Sequence, residues 1–270
     1  MAHMFIFGLG YTASRIADRL RGRGWVVEAT GSKGNVDFRD GAAVRGALTR
    51  ASHVLSSAPP ASEADGGADP VLGRYGTDLT QDWLGYLSST GVYGDAGGAW
   101  VDESAPTGSG RRTARAEADA RWLERGARVF RLPGIYGQGR NALARVRQGK
   151  ANRIDLPGQV FSRVHVDDIV SGVIAGLGAP AGAYNLSDDL PASQNEVIEE
   201  ACALLGCAPP PLLTLEEARL SPMARGFYGE NRRVANGKAK RVLGWQPTYP
   251  DYRAGLRVLM ISDVFGPQGE

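Results

Sequence analysis

An α/β fold, a doubly wound parallel sheet with a smaller C-terminal cap, is predicted by three features of the 270-residue chain. Short apolar runs alternate with helical stretches as far as Leu132, the first run enters a glycine-rich turn that opens a helix, and beyond Pro133 the alternation gives way to glycine-rich turns and scattered elements. With 43% hydrophobic and 22% charged residues, the chain is globular and long enough for one large or two modest cores.

The opening stretch organises the rest. Residues 4–7 (MFIF) read as a strand, and Gly8, Gly10 and Ala13 follow as G-x-G-x-x-A. One glycine permits the tight turn, the second lets backbone approach a pyrophosphate, and the alanine lets helix pack on strand. A pyrophosphate would rest on the unpaired N–H groups and positive dipole end of the helix that begins at Tyr11 and Thr12. Ala13, Ile16, Ala17 and Leu20 recur at helical spacing and give that helix one apolar face. Strand, turn and helix in this order predict a dinucleotide site of the Rossmann type.

Residues 25–30 read as the second strand. Where an acidic residue commonly meets the ribose 2′-hydroxyl of NAD, this chain has Thr30, Ser32 and Lys33. Hydroxyls and a cation suit a 2′-phosphate, so the sequence favours NADP and leaves NAD open. Residues 35–40 are expected to form a short third strand, with Asp37 and Phe38 flanking an adenine. A helix at 41–49 and a strand at 53–57 lead to Ala58 and Pro59, which border the cofactor. The polar loop at 61–70 carries no chemistry. A helix within 71–83 precedes a strand at 86–88, which runs into Ser89-Thr90-Gly91-Val92-Tyr93-Gly94. Hydroxyls at the carboxyl end of a sheet strand stand where such folds place catalytic groups, which makes Ser89, Thr90 and Tyr93 the catalytic candidates. A helix at 113–125 and a strand at 127–132 bring Leu132 and Pro133 to the cofactor and close a dinucleotide-binding unit, 1–138.

Residues 139–270 read mostly as the substrate-binding cap, with 161–186 returning to the main sheet. That return comprises a strand at 161–166, a helix capped by Asp167 or Asp168 and running to Leu177, and a strand at 183–186. An amphipathic helix at 194–205 and a stiff linker at 209–211 follow. Substrate would lie between cap and sheet.

A net charge of +2 with no basic block argues against nucleic acid as a partner. No run of 18 apolar residues and no cleavable signal pattern occurs, so a cytoplasmic protein without a membrane partner is expected. Residues 1–3 read as an appended leader, which leaves His3 out of the functional count. Cys202 and Cys207 are expected to be buried thiols, and three histidines do not make a metal cluster.

Across nearly its whole length the chain resembles the extended short-chain dehydrogenase/reductase family, also called the NAD-dependent epimerase/dehydratase family. The resemblance rests on Gly8, Gly10 and Ala13, on LSSTGVYG at 87–94, RLPGIYG at 131–137, VHVDD at 164–168, Tyr184-Asn185-Leu186 and VLGW at 242–245. It implies that Ser89, with Thr90 beside it, holds the substrate oxygen. It also implies a Tyr as acid/base and a Lys four residues later that lowers the phenol's pKa and binds the nicotinamide ribose. A phenol needs such a neighbouring cation to work at neutral pH.

Those two residues are missing. Aligned on Glu117, the Tyr falls on Ser109 and the Lys on Thr113; no Tyr lies between Tyr93 and Tyr136, and no Lys between Lys33 and Lys150. The chain thus resembles an atypical branch with Gly110-Arg111-Arg112 in that region. Arg111 or Arg112 is a candidate anion binder and Tyr93 a substitute proton donor. His165, between two valines, reads as structural, and a Ser89-His165-Asp167 hydrolase lacks its G-x-S-x-G elbow. Epimerases that use UDP-sugars carry an Arg where this chain has Phe161, which leaves Arg163 and Arg233 as alternative anion binders. The expected activity is an NAD(P)-binding, epimerase/dehydratase-like oxidoreduction of a small carbonyl or hydroxyl compound, sugar-type compounds included. The alternative is a non-catalytic NAD(P)-binding sensor or partner-binding protein. A homodimer is among the assemblies the resemblance implies.

Overall fold

The computed structural model describes residues 2–62, 66–110 and 113–265. Strand β1 (His3–Phe7) leads through the glycine turn into α1 (Tyr11–Arg21), then β2 (Val26–Ala29), α2 (Gly41–Arg50), β3 (His53–Ser56), α3 (Pro70–Tyr75) and β4 (Trp83–Ser89). Next come β5 (Trp100–Val101), α4 (Thr113–Glu124), β6 (Arg128–Leu132), β7 (Gly134–Tyr136), α5 (Ala142–Arg147), β8 (Arg153–Ile154), β9 (Arg163–His165) and α6 (Val166–Ala175). The chain ends with β10 (Gly182–Asn185), α7 (Gln194–Leu205), β11 (Leu212–Leu213), α8 (Pro222–Phe227), β12 (Arg233–Val234), α9 (Gly237–Leu243) and α10 (Tyr252–Phe265).

Six strands form one parallel sheet in the order β10-β6-β4-β3-β1-β2. Its inner strands read as apolar runs because a parallel sheet is covered on both faces, and successive side chains sort alternately between the two. Met4 and Ile6 of β1 join Ala13, Ile16, Ala17 and Leu20 of α1 and Ile169, Val170 and Val173 of α6 in one core. Phe5 and Phe7 join Val44 and Leu48 of α2, Tyr75 of α3 and Trp122 of α4 in the other. A third apolar cluster unites Leu143 of α5, Val197 and Ile198 of α7, and Tyr252 and Leu256 of α10 with Tyr136. These helices form the wall facing the carboxyl ends of the strands.

Several expectations are corrected. Residues 35–40 form no strand, because their polar groups serve the chain around them. The Asn35 side chain accepts from Ala29 N, Asp37 from Arg39 N, and Asp40 caps α2 by accepting from Ala42 and Ala43 N. The helix expected within 71–83 stops at Tyr75, and Trp83 already opens β4. His165 caps α6, its Nδ1 accepting from Asp167 N, while Asp167 and Asp168 lie in the first turn. Buried Asp168 instead accepts from Thr248 and Tyr249 N and ties the chain after α9 to the sheet. Cys202 is buried but Cys207 is exposed. His3, set aside in the functional count, is a strand residue whose ring pairs with Glu28.

No helix among the described residues is long and apolar enough to cross a membrane.

Candidate active site

The glycine turn is held from outside by β2 and β3. Gly8 has φ +86°, and a Cβ there would stand 3.1 Å from Ala58 N. Gly31 has φ +107°, and a Cβ there would meet Leu9 N at 2.7 Å, so only glycine lets these two loops touch. Thr30 is the clasp: its Oγ1 accepts from Gly8 N at 3.1 Å and its carbonyl from Leu9 N at 2.7 Å. Thr30, 2% exposed, is engaged in this bracing. Ser32 and Lys33 are exposed beside it at the tip of the turn.

No side chain caps the N-terminus of α1 at Gly10, and no acidic residue lies in its first turn. A Cβ on Gly10 would meet nothing within 4 Å. Open space in front of uncapped N–H groups fits a pyrophosphate. Ala13 is wholly buried against the sheet, as the motif requires, and Thr12 is buried at the mouth of the cleft. Tyr11 turns away to donate to Gln138 O at 3.0 Å, and burial raises its pKa. Phe38 and Asp37, the residues expected to flank an adenine, have partners within the protein. Phe38 packs edge-on against Tyr75 at 5.3 Å with the Arg74 guanidinium 5.8 Å over its ring, and exposed Asp37 pairs with Arg39.

From Thr12 a cleft of about 990 Å³ runs along the carboxyl ends of the strands to the cap. Ser89, Thr90, Leu132 and Pro133 line it, as the sequence predicts. The Ser89 hydroxyl accepts from Gly91 N at 3.1 Å and keeps its own proton free to donate to a ligand oxygen.

Tyr93 is not among the cleft's walls. It is 3% exposed, donates to Asn185 Oδ1 at 2.7 Å and accepts from the Arg131 guanidinium at 3.0 Å. Arg131 in turn forms a bidentate pair with Asp119, which also accepts from Ser88 Oγ at 2.6 Å. Burial raises the Tyr93 pKa against the opposing pull of Arg131. Tyr93 is therefore a structural member of a buried polar network, and its assignment as a catalytic residue is withdrawn. In the region of the absent Tyr and Lys, Gly110 backbone packs on Gly94, and Ser109 donates to Tyr93 O at 3.2 Å. Arg111 and Arg112 lie outside the described residues.

Of the cations that line the cleft, the sequence pointed only to Arg163. Arg115, Arg140, Arg145, Arg163 and Arg232 line it, against Glu230 as the one acidic wall residue among those described. Arg232 pairs with Glu230 at 2.9 Å. Arg163, 7% exposed, donates to Phe161 O and Ala192 O at 2.8 Å each, and burial lowers its pKa. Arg233 points elsewhere, donating to Gly98 O. Among the described residues, Arg115, Arg140 and Arg145 meet no carboxylate. Arg115 donates to Tyr86 OH at 2.9 Å, Arg140 lies 6.0 Å over the Tyr11 ring, and Arg145 donates to Lys150 O at 3.2 Å. Arginine is so frequent in this chain that no local motif singled these three out.

No family model matches the chain. A solved structure of a functionally unknown conserved protein from Silicibacter pomeroyi DSS is 37% identical, with a TM-score of 0.85, over 97% of this chain and 99% of that one. UDP-glucose 4-epimerase from Thermus thermophilus, solved with NAD, is 21% identical over 98% and 99%, with a TM-score of 0.73. A human epimerase family protein solved with NADPH is 17% identical over 96% and 99%, with a TM-score of 0.76. A 3-diazoavenalumate denitrifying reductase from Streptomyces sp is 32% identical over 140 residues, 47% of this chain, and the match spans just under half, 45%, of that relative. The sheet order and glycine turn define a protein with the fold of the extended short-chain dehydrogenase/reductases, the NAD-dependent epimerase/dehydratase type. Within that type, the chain belongs to the family of the Silicibacter protein of unknown function.

Proposed function

We propose that this chain is an NAD(P)-dependent oxidoreductase of an atypical epimerase/dehydratase branch, acting on a small carbonyl or hydroxyl compound held between sheet and cap. One observation carries the reading: the uncapped start of α1 at Gly10 opens on empty space beside a cleft that contains Ser89. A nicotinamide dinucleotide bound there would supply or accept hydride at the cleft. Gly8, Gly10, Tyr11, Thr12 and Ala13 would hold its pyrophosphate, with Ala58, Pro59, Leu132 and Pro133 alongside. Structural neighbours solved with NAD and with NADPH support such a cofactor. Exposed Ser32 and Lys33 favour NADP, and Ser89 would donate its hydroxyl proton to the substrate oxygen.

With no phenol–ammonium pair, strong acid catalysis is missing. The enzyme therefore suits a substrate whose reduction does not depend on concerted protonation by a tuned phenol. The reductase named for the Streptomyces relative favours turnover over the second reading, a nucleotide-binding sensor that has lost catalysis.

The test is thermal unfolding with NAD, NADH, NADP and NADPH, on the native chain and on Gly10→Asp. A nucleotide at 100 times its dissociation constant should stabilise the fold by about 2.7 kcal/mol, and Gly10→Asp should abolish the gain. Absence of a shift with all four would refute cofactor binding. Binding without nucleotide oxidation across a carbonyl panel would favour the sensor.

A further inference from the structure

The cap end of the cleft differs in chemistry from its sheet end. Around Arg145, Val160, Phe161, Val197, Tyr228 and Leu256 give apolar and aromatic walls, with the uncharged Gln148, Asn152, Gln194 and Ser221 beside them. Phe161 and Tyr228 stand edge to face, ring centroids 5.5 Å apart and planes at 90°. The half-buried Tyr228 hydroxyl makes no hydrogen bond among the described residues, and the charges that act on it are Arg145 and Arg163. The latter is already saturated by main-chain carbonyls, as Arg232 is by Glu230. That leaves Arg145 as the one cation of this end whose charge nothing among the described residues balances.

We infer that the cap end binds a small organic anion with one carboxylate or phosphate group on a flat apolar body, the anionic group held by Arg145 and the Tyr228 hydroxyl and the body lying against Phe161. A guanidinium and a neutral hydroxyl together can hold one carboxylate or phosphate group, and the Phe161 ring in the cleft wall offers apolar surface to a ring or conjugated chain. This inference takes the cleft as the active site of the proposed oxidoreductase and specifies its substrate class.

The test is calorimetric titration of the full chain, with and without NADPH, using cinnamate, phenyl phosphate, neutral cinnamamide and UDP-glucose. Cinnamate or phenyl phosphate should bind at least about tenfold more tightly than cinnamamide, the worth of one charge-assisted contact, and the tighter of the two identifies the anionic group. Arg145→Gln should erase that preference while leaving NADPH affinity unchanged, and Tyr228→Phe should reduce it by a smaller factor. Cinnamamide binding as well as cinnamate would overturn the inference. So would a preference that survives Arg145→Gln, stronger binding of UDP-glucose, or no binding of either anion at millimolar concentration. If Arg145-dependent anion binding persists while no nucleotide binds, the inference stands and the proposed cofactor reading falls.

Discussion

The two ends of the cleft were built by different rules. At the glycine turn the loops meet mainly through backbone: Gly8 and Gly31 let the chains approach, the start of α1 at Gly10 is left open, and the Thr30 hydroxyl clasps the loop by accepting from Gly8 N. At the Ser89 end the side chains crowd in. Where the wider family keeps a cation-activated phenol, this chain has glycine backbone packed on glycine backbone. Beneath it, Ser88, Asp119, Arg131, Tyr93 and Asn185 bond to one another. A ligand site preserved as backbone geometry can outlast the loss of its neighbouring chemistry, because the two depend on different residues.

The largest effect should come from breaking the buried network. Asp119→Ala leaves Arg131, 3% exposed, without its counter-ion and should cost about 3–5 kcal/mol in urea unfolding. A loss under about 1 kcal/mol would mean the network is not what rigidifies the Ser89 end.

The next concerns Asp188, whose side chain is buried beside Arg163 just after β10. Burial outweighs the attraction of Arg163 and pushes its carboxyl up to about 8. The native chain then holds this proton more tightly than the unfolded chain, whose carboxyl titrates near about 4. Stability should therefore fall as pH rises between those values, by up to about 1.4 kcal/mol per pH unit from this group alone. Asp188→Asn should flatten that part of the profile in thermal melts run across the range, and an unchanged profile would place the titration elsewhere.

Tyr93→Phe and Ser89→Ala separate structure from chemistry. The first should lower unfolding stability by about 1 kcal/mol through the lost bonds to Asn185 and Arg131 and leave nucleotide-linked turnover intact. The second should abolish turnover and leave nucleotide binding unaffected. A reversal of the two outcomes would return Tyr93 to the reacting centre. The smallest effect belongs to Lys33→Ala, an exposed cation, which should weaken NADPH several-fold and NADH not at all in the thermal-shift titration. Equal effects on both would remove Lys33 from the 2′-phosphate.

The sequence alone located the six strands of the sheet, the glycine turn and Ser89, because each is a local matter, but it added a strand at 35–40 that does not form and assigned to the sheet a strand at 161–166 that pairs with β7 instead. Strand alternation, G-x-G-x-x-A spacing and a hydroxyl pair at a strand end involve residues within a few positions of one another. It also determined that the Tyr and Lys are missing, since absence over a defined interval needs no fold to detect. What residues 30–40 do was decided by tertiary contacts: the polar groups that suggested cofactor recognition at Thr30 and Asp37 found partners within the protein first. The fate of Tyr93 was likewise invisible, since its hydroxyl meets Asn185, 92 positions away, and Arg131, 38 positions away. Arg115, Arg140 and Arg145 look ordinary in sequence. Only folding shows which of the chain's many guanidiniums are neutralised by a carboxylate and which face the cleft without one, and that difference depends on distances the linear order does not contain.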